Sequence, residues 1–93
     1  MKQEVNVEGA TVPVYKYEED GNTVYEFDTS MLGPPEPMTN AMAVLKLLNS
    51  PNIKVVMINH KKPIGLLEKI TDKFNIDISD YDGKYKIVFT LKQ

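Results

Sequence analysis

The segment His60-Lys61-Lys62-Pro63-Ile64-Gly65 places a histidine and two lysines directly before a proline. Proline favours the first position of a helix and keeps the residue before it extended. Lys62 therefore stands where a capping Ser, Thr, Asp or Asn usually accepts hydrogen bonds from the first helical amides. A bound anion would satisfy those amides and neutralise the positive charge, so the segment predicts an anion site.

A proline-rich segment, Gly33-Pro34-Pro35-Glu36-Pro37-Met38, precedes an apolar run. Pro37 is expected at the first helical position, with Glu36 close to the cap, where the helix dipole favours a carboxylate. We interpret Glu36 as a residue that starts the helix, and we assign no catalytic residue in this segment.

Composition excludes several function classes. The 93-residue chain has no cysteine, which rules out disulfides, thiolate nucleophiles and zinc–thiolate sites. All eleven basic residues are lysine, so the bidentate side chain that most often recognises phosphate and guanine is missing. No apolar run approaches the roughly 18 residues of a membrane span, and no signal peptide is visible. We expect a cytoplasmic protein that binds neither nucleic acid nor membrane.

Hydrophobic patterns predict the elements that position the two segments. Strands over 11–17 and 23–28 form a hairpin around 18–22, and Pro13 assigns the first of them to a sheet edge. A helix from Pro37 follows, and its apolar face is Ala41, Val44, Leu45 and Leu48. Within the hairpin we expect a shared aromatic face made of Tyr15, Tyr17, Tyr25 and Phe27.

The second half of the chain has an equally regular pattern. Residues 53–59 are predicted to form a buried strand, Pro63 to Phe74 a helix, and residues 76–81 and 84–91 a hairpin around Asp82-Gly83. The methionines at inward positions are expected to fill the core: Met38, Met42 and Met57.

This order of elements predicts an α+β fold. It is a two-layer α/β sandwich with a βαβαββ core, two helices on one face of a mixed sheet, and an N-terminal strand that forms a hairpin with the first core strand. Residues 1–93 form a single domain, with 1–22 as the N-terminal β extension and 23–93 as the core.

Topology brings the candidate residues together. A right-handed crossover makes the first two core strands parallel, so both helices begin at the same sheet edge, where open α/β sheets bind ligands. The predicted ligand-binding residues at this edge are Glu36, Asn59, His60, Lys61, Lys62, Ile64 and Gly65.

The motif Pro34-Pro35-Glu36-Pro37 before an apolar helix resembles the signature of the TusA/SirA-like sulfur-carrier superfamily, and the predicted element order over about 23–92 agrees with it. In that family a cysteine precedes the Pro-x-Pro. Pro34 occupies the matching position here and has no nucleophilic atom, so persulfide transfer by that route is excluded.

Within the superfamily, the chain is similar to a cysteine-less subgroup of unknown function that has Pro-Pro-Glu-Pro at this position. That subgroup also has a histidine at the end of the second core strand and a proline shortly after it, as His60 and Pro63 are here. Its members often have an acidic residue after the histidine, whereas this chain has Lys61. The resemblance implies a loose association with sulfur or redox metabolism.

Two function classes follow. The first is a non-catalytic module, without a cofactor, in which the surface around His60 binds an anionic metabolite or an acidic protein partner. The second is a small redox accessory domain in which His60 is an acid, a base or a single ligand to a metal or haem shared with a partner. No second catalytic group accompanies His60, and one histidine does not make a zinc site, which favours the first class.

The sequence is also compatible with purely structural roles for the same residues. The lysines are equally compatible with a solvated surface on which Glu36 pairs with Lys61 or Lys62, for a contribution of about 0–1 kcal/mol. The aromatic hairpin predicts a homodimer.

Overall fold

The computed structural model describes residues 1–70 and 72–92, which form six strands and two helices. In chain order the elements are β1 (Gln3–Val5), β2 (Val14–Glu19), β3 (Asn22–Asp28), α1 (Glu36–Leu45), β4 (Ile53–Asn59), α2 (Ile64–Ile70), β5 (Phe74–Tyr81) and β6 (Lys84–Leu91).

All six strands belong to one mixed sheet, in the order β1-β2-β3-β4-β6-β5. β3 and β4 are parallel, and the other neighbouring pairs are antiparallel. A parallel pair needs a crossover connection, which α1 supplies between β3 and β4. The predicted α+β class, with two helices and a mixed sheet, is confirmed.

The main core lies between the helices and one face of the sheet. Successive strand residues point to opposite faces, so Val55 and Met57 of β4 enter this core while Val56 and Ile58 belong to a separate small cluster. The buried residues of the main core are Val14, Phe27, Ala41, Val44, Leu45, Leu48, Val55, Met57, Leu66, Ile70, Ile87 and Phe89. Met38 is partly buried against it, but Met42 is 44% exposed, so its assignment to the core was wrong.

The first hairpin differs from the prediction in its register. Asp20 and Gly21, with φ of 52° and 80°, make a two-residue turn in place of the expected five-residue loop. Tyr15 is then opposite Glu26, and Tyr25 is opposite Lys16. Tyr15 and Tyr17 therefore lie on the face away from Tyr25 and Phe27. The predicted shared aromatic face is wrong, and the homodimer inferred from it loses that basis.

The edge position predicted for the first strand of this hairpin is also wrong. Pro13 lies just before β2, where it removes no hydrogen bond from the ladder, and β1 pairs with the outer side of β2. A strand of three residues leaves too short a pattern to recognise in a sequence.

Both helices differ from their predicted limits. α1 begins at Glu36, one residue earlier than expected, with Pro37 in its first turn. α2 ends at Ile70, and Phe74 is the first residue of β5. The backbone N–H of Lys92 donates to the carbonyl of Lys73, 3.0 Å away, so the chain is already held beside the last strand at that point.

The sheet face opposite the helices has its own polar cluster. The Tyr17 hydroxyl donates to Glu26 Oε1 at 2.9 Å, and Lys2 Nζ lies 3.0 Å from Glu26 Oε2 and 5.1 Å from the centroid of the Tyr17 ring. Burial, followed by the hydrogen bond to Glu26 and the negative charges of Glu26 and Glu19, raises the pKa of Tyr17. The phenol therefore stays protonated and remains a hydrogen-bond donor.

Neither helix in the described part of the chain has the length and apolar character of a membrane-crossing helix.

Candidate functional site

A pocket of about 360 Å³ is bounded by the residues at the starts of the two helices, and we call it the prolyl pocket. Three segments form it: the proline-rich segment that leads into α1, the end of β4 with the loop that follows, and the first turn of α2. Its lining residues are Pro34, Pro35, Pro37, Met38, Asn59, His60, Lys61, Lys62, Pro63, Gly65 and Leu66. Its volume is at the lower end of the range for small-molecule sites.

Most of the residues singled out in the sequence meet in this pocket. From the predicted ligand-binding set, it is lined by Asn59, His60, Lys61, Lys62 and Gly65, and the motif contributes Pro34, Pro35 and Pro37. Ile64 and Glu36 are not among the lining residues. The Ile64 side chain is 62% exposed, and the Glu36 carboxylate is engaged elsewhere.

The start of α1 is tied to the N-terminal segment by Asn40. The Asn40 Oδ1 accepts the backbone N–H of Thr11 at 2.7 Å, and its Nδ2 donates to Thr11 Oγ1 at 2.9 Å and to the Glu36 carbonyl at 3.0 Å. The Thr11 hydroxyl donates to Glu36 Oε2 at 3.2 Å. Glu36 is held by Thr11, and the pairing with Lys61 or Lys62 that the sequence left open is not formed.

Sequence reasoning missed the Asn40–Thr11 network. Asn40 is fully buried, although it is polar and adjoins Ala41 on the inward side of α1. A polar residue within an apolar helical face is a signal for a buried hydrogen-bond network. The identity of its partner, 29 residues earlier in the chain, was not readable from the local pattern.

Asn59 shapes the opposite side of the pocket. It is 4% exposed, its Oδ1 accepts from the Thr29 hydroxyl at 2.9 Å, and its Nδ2 donates to the Lys61 carbonyl at 2.9 Å. The Thr29 hydroxyl also lies 3.1 Å from the Ile58 carbonyl, and its one proton is shared between the two acceptors. Asn59 is therefore engaged inside the protein at both ends of its amide, and it holds the loop that presents Lys61.

The start of α2 is less open than expected. The backbone N–H of Ile64 donates to the Lys62 carbonyl at 2.9 Å, and that of Leu67 donates to Pro63 at 3.0 Å. α2 has only seven residues and no acidic residue in its first turn. The expectation that the Ile64 amide is free for an anion was wrong, and positive charge at the pocket comes from side chains.

The rim and the walls of the prolyl pocket differ in polarity. His60, Lys61 and Lys62 are exposed, and no carboxylate of the described residues pairs with either lysine. Lys62 Nζ lies 5.5 Å from the centroid of the Tyr85 ring, so a cation–π contact orients it. The walls are mainly proline rings and the side chains of Met38 and Leu66. An ion with an apolar body and one negative group matches this arrangement.

The described residues contain no cluster of side chains suited to binding a metal ion. Within residues 1–70 and 72–92, no group of three or more His, Cys, Asp or Glu side chains is placed to hold a metal ion. A metal at His60 would need its remaining ligands from a partner or a cofactor.

Comparison with known proteins does not assign the site. The chain matches no protein-family model, and neither a curated protein nor a solved structure is significantly similar to it.

Proposed function

We propose that this domain is a non-catalytic binding module whose prolyl pocket takes a small organic anion with an apolar body. The observation that carries this proposal is the composition of the pocket, in which apolar walls from the proline-rich segment, Pro63, Met38 and Leu66 are combined with His60, Lys61 and Lys62. Pockets of this kind bury the body of a ligand and use a few polar groups for orientation.

The anionic group of the ligand would lie at the rim. Neither Lys61 nor Lys62 has a carboxylate partner among the described residues, so a carboxylate or phosphate would meet ammonium groups that are free to pair. Charge-assisted hydrogen bonds are stronger than neutral ones. Because both lysines are exposed, salt would screen the attraction and weaken binding.

The makeup of the lining supports a non-catalytic role. The described residues that line the pocket include no hydroxyl, thiol or carboxylate side chain. The ionisable groups of the lining are His60, Lys61 and Lys62, and all three are exposed. A lysine becomes a catalytic nucleophile when it is desolvated in an apolar pocket or placed beside another cation, and exposure of Lys61 and Lys62 keeps both ammonium groups hydrated.

We also propose that the domain is a cysteine-less relative of the TusA/SirA-like carriers. Support comes from the order β3-α1-β4-α2-β5-β6 and from Pro34-Pro35-Glu36-Pro37 at the start of α1. On this proposal, Pro34 and the inert rings beside it form a non-covalent site in place of a sulfur-carrying one. The association with sulfur or redox metabolism and the cytoplasmic location rest on the resemblance and on the sequence.

Three small probes separate the contributions of charge and apolar area. We would titrate phenylacetate, its neutral analogue phenylacetamide, and acetate into the protein while following the NMR signals of His60, Gly65 and Leu66. Phenylacetate should give saturable shifts that weaken with salt, and the other two should bind at least several-fold more weakly. Equal binding of the acid and the amide, or no saturable shift with phenylacetate, would contradict the proposal.

A matched pair of variants tests the location. Lys61→Gln combined with Lys62→Gln should weaken phenylacetate binding about tenfold, because each pairing contributes up to about 1 kcal/mol. The control is Lys54→Gln combined with Lys86→Gln, which removes two lysines from the sheet face opposite the helices. An equal loss in the control would mean that net charge, and not the pocket, determines binding.

The alternative role for His60, as a ligand to a partner's metal or haem, has a separate test. Stoichiometric metal or a haem absorbance band in protein purified from its own host, lost in His60→Ala, would favour that role over anion binding.

A further inference from the structure

A second pocket lies further along the same two helices. It has a volume of about 250 Å³ and is lined by Met42, Leu45, Lys46, Lys69, Ile70, Lys73 and Phe74. Met38 and Gly65 line the prolyl pocket, and Met42 and Lys69, each four residues further along its helix, line the second pocket. Residues four apart lie on the same side of a helix. The two separate pockets therefore follow one another along the same side of the helices, and we call the surface that spans them the interhelix cleft.

Positive charge borders the interhelix cleft at both ends. Lys61 and Lys62 lie at the helix starts, and Lys46, Lys69 and Lys73 lie around the second pocket. No acidic residue of the described chain lines either pocket. Five of the eleven lysines thus border one cleft, although the chain has a net charge of -2.

The floor of the interhelix cleft is apolar and adaptable. Met38 is partly buried, Met42 is 44% exposed, and the buried Leu45 and Ile70 lie beside them. Methionine side chains are flexible and polarisable, and they are common at surfaces that repack around a bound segment. The exposed part of Met42 would become buried in a complex with a partner.

We propose that the interhelix cleft docks an acidic amphipathic helix from a partner protein. Charge complementarity selects the occupant, because carboxylates on such a helix would meet lysines at both ends while its apolar side covers Met38 and Met42. α1 has ten residues, and at 1.5 Å per residue it is about 15 Å long. A docked helix of about 10–12 residues, with apolar residues at i, i+4 and i+7, matches this length.

This proposal goes beyond the small-anion site and does not depend on it. The lower half of the cleft, around Met42, Lys46 and Lys69, has no part in the prolyl pocket. Variants of the lower half therefore test the docking surface alone.

The experiment is selection from a library of random 12-residue peptides, followed by fluorescence anisotropy with a synthetic copy of the most enriched sequence. We expect acidic sequences with apolar residues at helical spacing, and binding that weakens with salt. Lys46→Gln combined with Lys69→Gln should weaken binding about tenfold and leave phenylacetate binding unchanged. Lys54→Gln combined with Lys86→Gln makes the same change in charge on the opposite sheet face and should leave peptide binding within twofold.

Several results would overturn the docking proposal. They are the absence of enriched sequences, enrichment of neutral or basic sequences, and equal losses in the two double variants while circular dichroism shows both folded. Binding of the protein to vesicles containing phosphatidylserine more tightly than to the selected peptide would also overturn it, since the cleft would then serve a lipid surface. Failure of phenylacetate binding with a positive peptide result would remove the small-anion proposal alone.

Discussion

The two helices of this domain begin in opposite ways. At the start of α1, Glu36, Asn40 and Thr11 bond to one another, and Asn40 is fully buried. At the start of α2, Lys61 and Lys62 are exposed and have no carboxylate partner among the described residues. The first arrangement completes its hydrogen bonds within the chain, whereas the second leaves positive charge available to another molecule.

The two helix starts therefore differ in role: the start of α1 stabilises the fold, and the start of α2 is available for binding. Asn40 is buried and its amide is paired at both ends, so removing this side chain costs hydrogen bonds and leaves partly buried groups without partners. Exposed lysines contribute little to the free energy of unfolding. We therefore expect substitutions at the α1 start to affect folding and those at the α2 start to affect ligands.

The largest expected effect is that of Asn40→Ala. The substitution removes three hydrogen bonds and leaves the backbone N–H of Thr11 without its acceptor, so we expect the free energy of unfolding to fall by about 2–4 kcal/mol. Urea denaturation measures it. The exposed Asn49→Ala should stay within about 0.5 kcal/mol. An Asn40→Ala protein as stable as that control would remove the contrast between the helix starts.

Asn59→Ala should lower the free energy of unfolding by less than Asn40→Ala does, and it should also weaken ligand binding. It deprives the buried Thr29 hydroxyl of one acceptor and the Lys61 carbonyl of its donor, for a loss of about 1–3 kcal/mol. Because the loop then loses its position, phenylacetate binding should weaken although no charge has been removed. Unchanged affinity in a folded Asn59→Ala protein would show that Asn59 is purely structural.

Lys62→Gln should be more destabilising than Lys61→Gln. Lys62 lies over the Tyr85 ring, and an exposed cation–π contact contributes about 0.5–1 kcal/mol. Lys61 makes no such contact with any residue that the structure describes, so its substitution should cost less than about 0.5 kcal/mol. Thermal denaturation of the two single variants compares them directly, and the opposite order would mean that Lys62 is not held by Tyr85.

Gly65→Ala should stabilise the protein slightly while it narrows the pocket. A Cβ at this position would lie 3.5 Å from Met38 Cε, an ordinary contact distance, and alanine favours a helix over glycine by about 0.5–1 kcal/mol. The added methyl group projects toward the floor of the prolyl pocket, so phenylacetate should bind more weakly. Destabilisation, measured by urea denaturation, would indicate that Met38 cannot adjust.

Tyr17 lies outside both helix starts, and its raised pKa predicts how the free energy of unfolding changes at alkaline pH. The raised pKa of Tyr17, caused first by burial and then by Glu26, means that the folded state holds this proton more tightly than the unfolded state. Its contribution to stability is complete below the usual tyrosine pKa of about 10 and declines as the pH rises above it. Tyr17→Phe should remove this part of the decline in urea denaturation, whereas Asn40→Ala should retain it.

Local sequence patterns were sufficient to predict several elements of the fold. β4 and β6 have the predicted limits, because a continuous apolar run and a strict alternation each identify a strand. Asp82 and Gly83 make the predicted turn, with φ of 54° and 82°. The meeting of the segments 33–38 and 60–65 was also predictable, since parallel strands bring the segments that follow them to one sheet edge.

Other features depended on distant partners. Asp20-Gly21 is the same kind of turn as Asp82-Gly83, but the longer loop assumed there shifted the register and placed Tyr15 on the wrong face. A shift of one residue in register moves a whole strand's side chains to the other face. The end of α2 was misplaced because Phe74 fits both a helical and a strand pattern.

The amino-acid sequence by itself determined the α+β class, the elements around the two proline-containing segments, and the absence of cysteine chemistry, because these follow from composition and from the period of apolar residues. Only the tertiary structure decided that Glu36 bonds to Thr11, that Asn59 is engaged inside the protein, and that lysines far apart in the chain border pockets along the same two helices. Those facts depend on contacts between segments far apart in the chain, and a local pattern contains no information on which partner a polar side chain reaches.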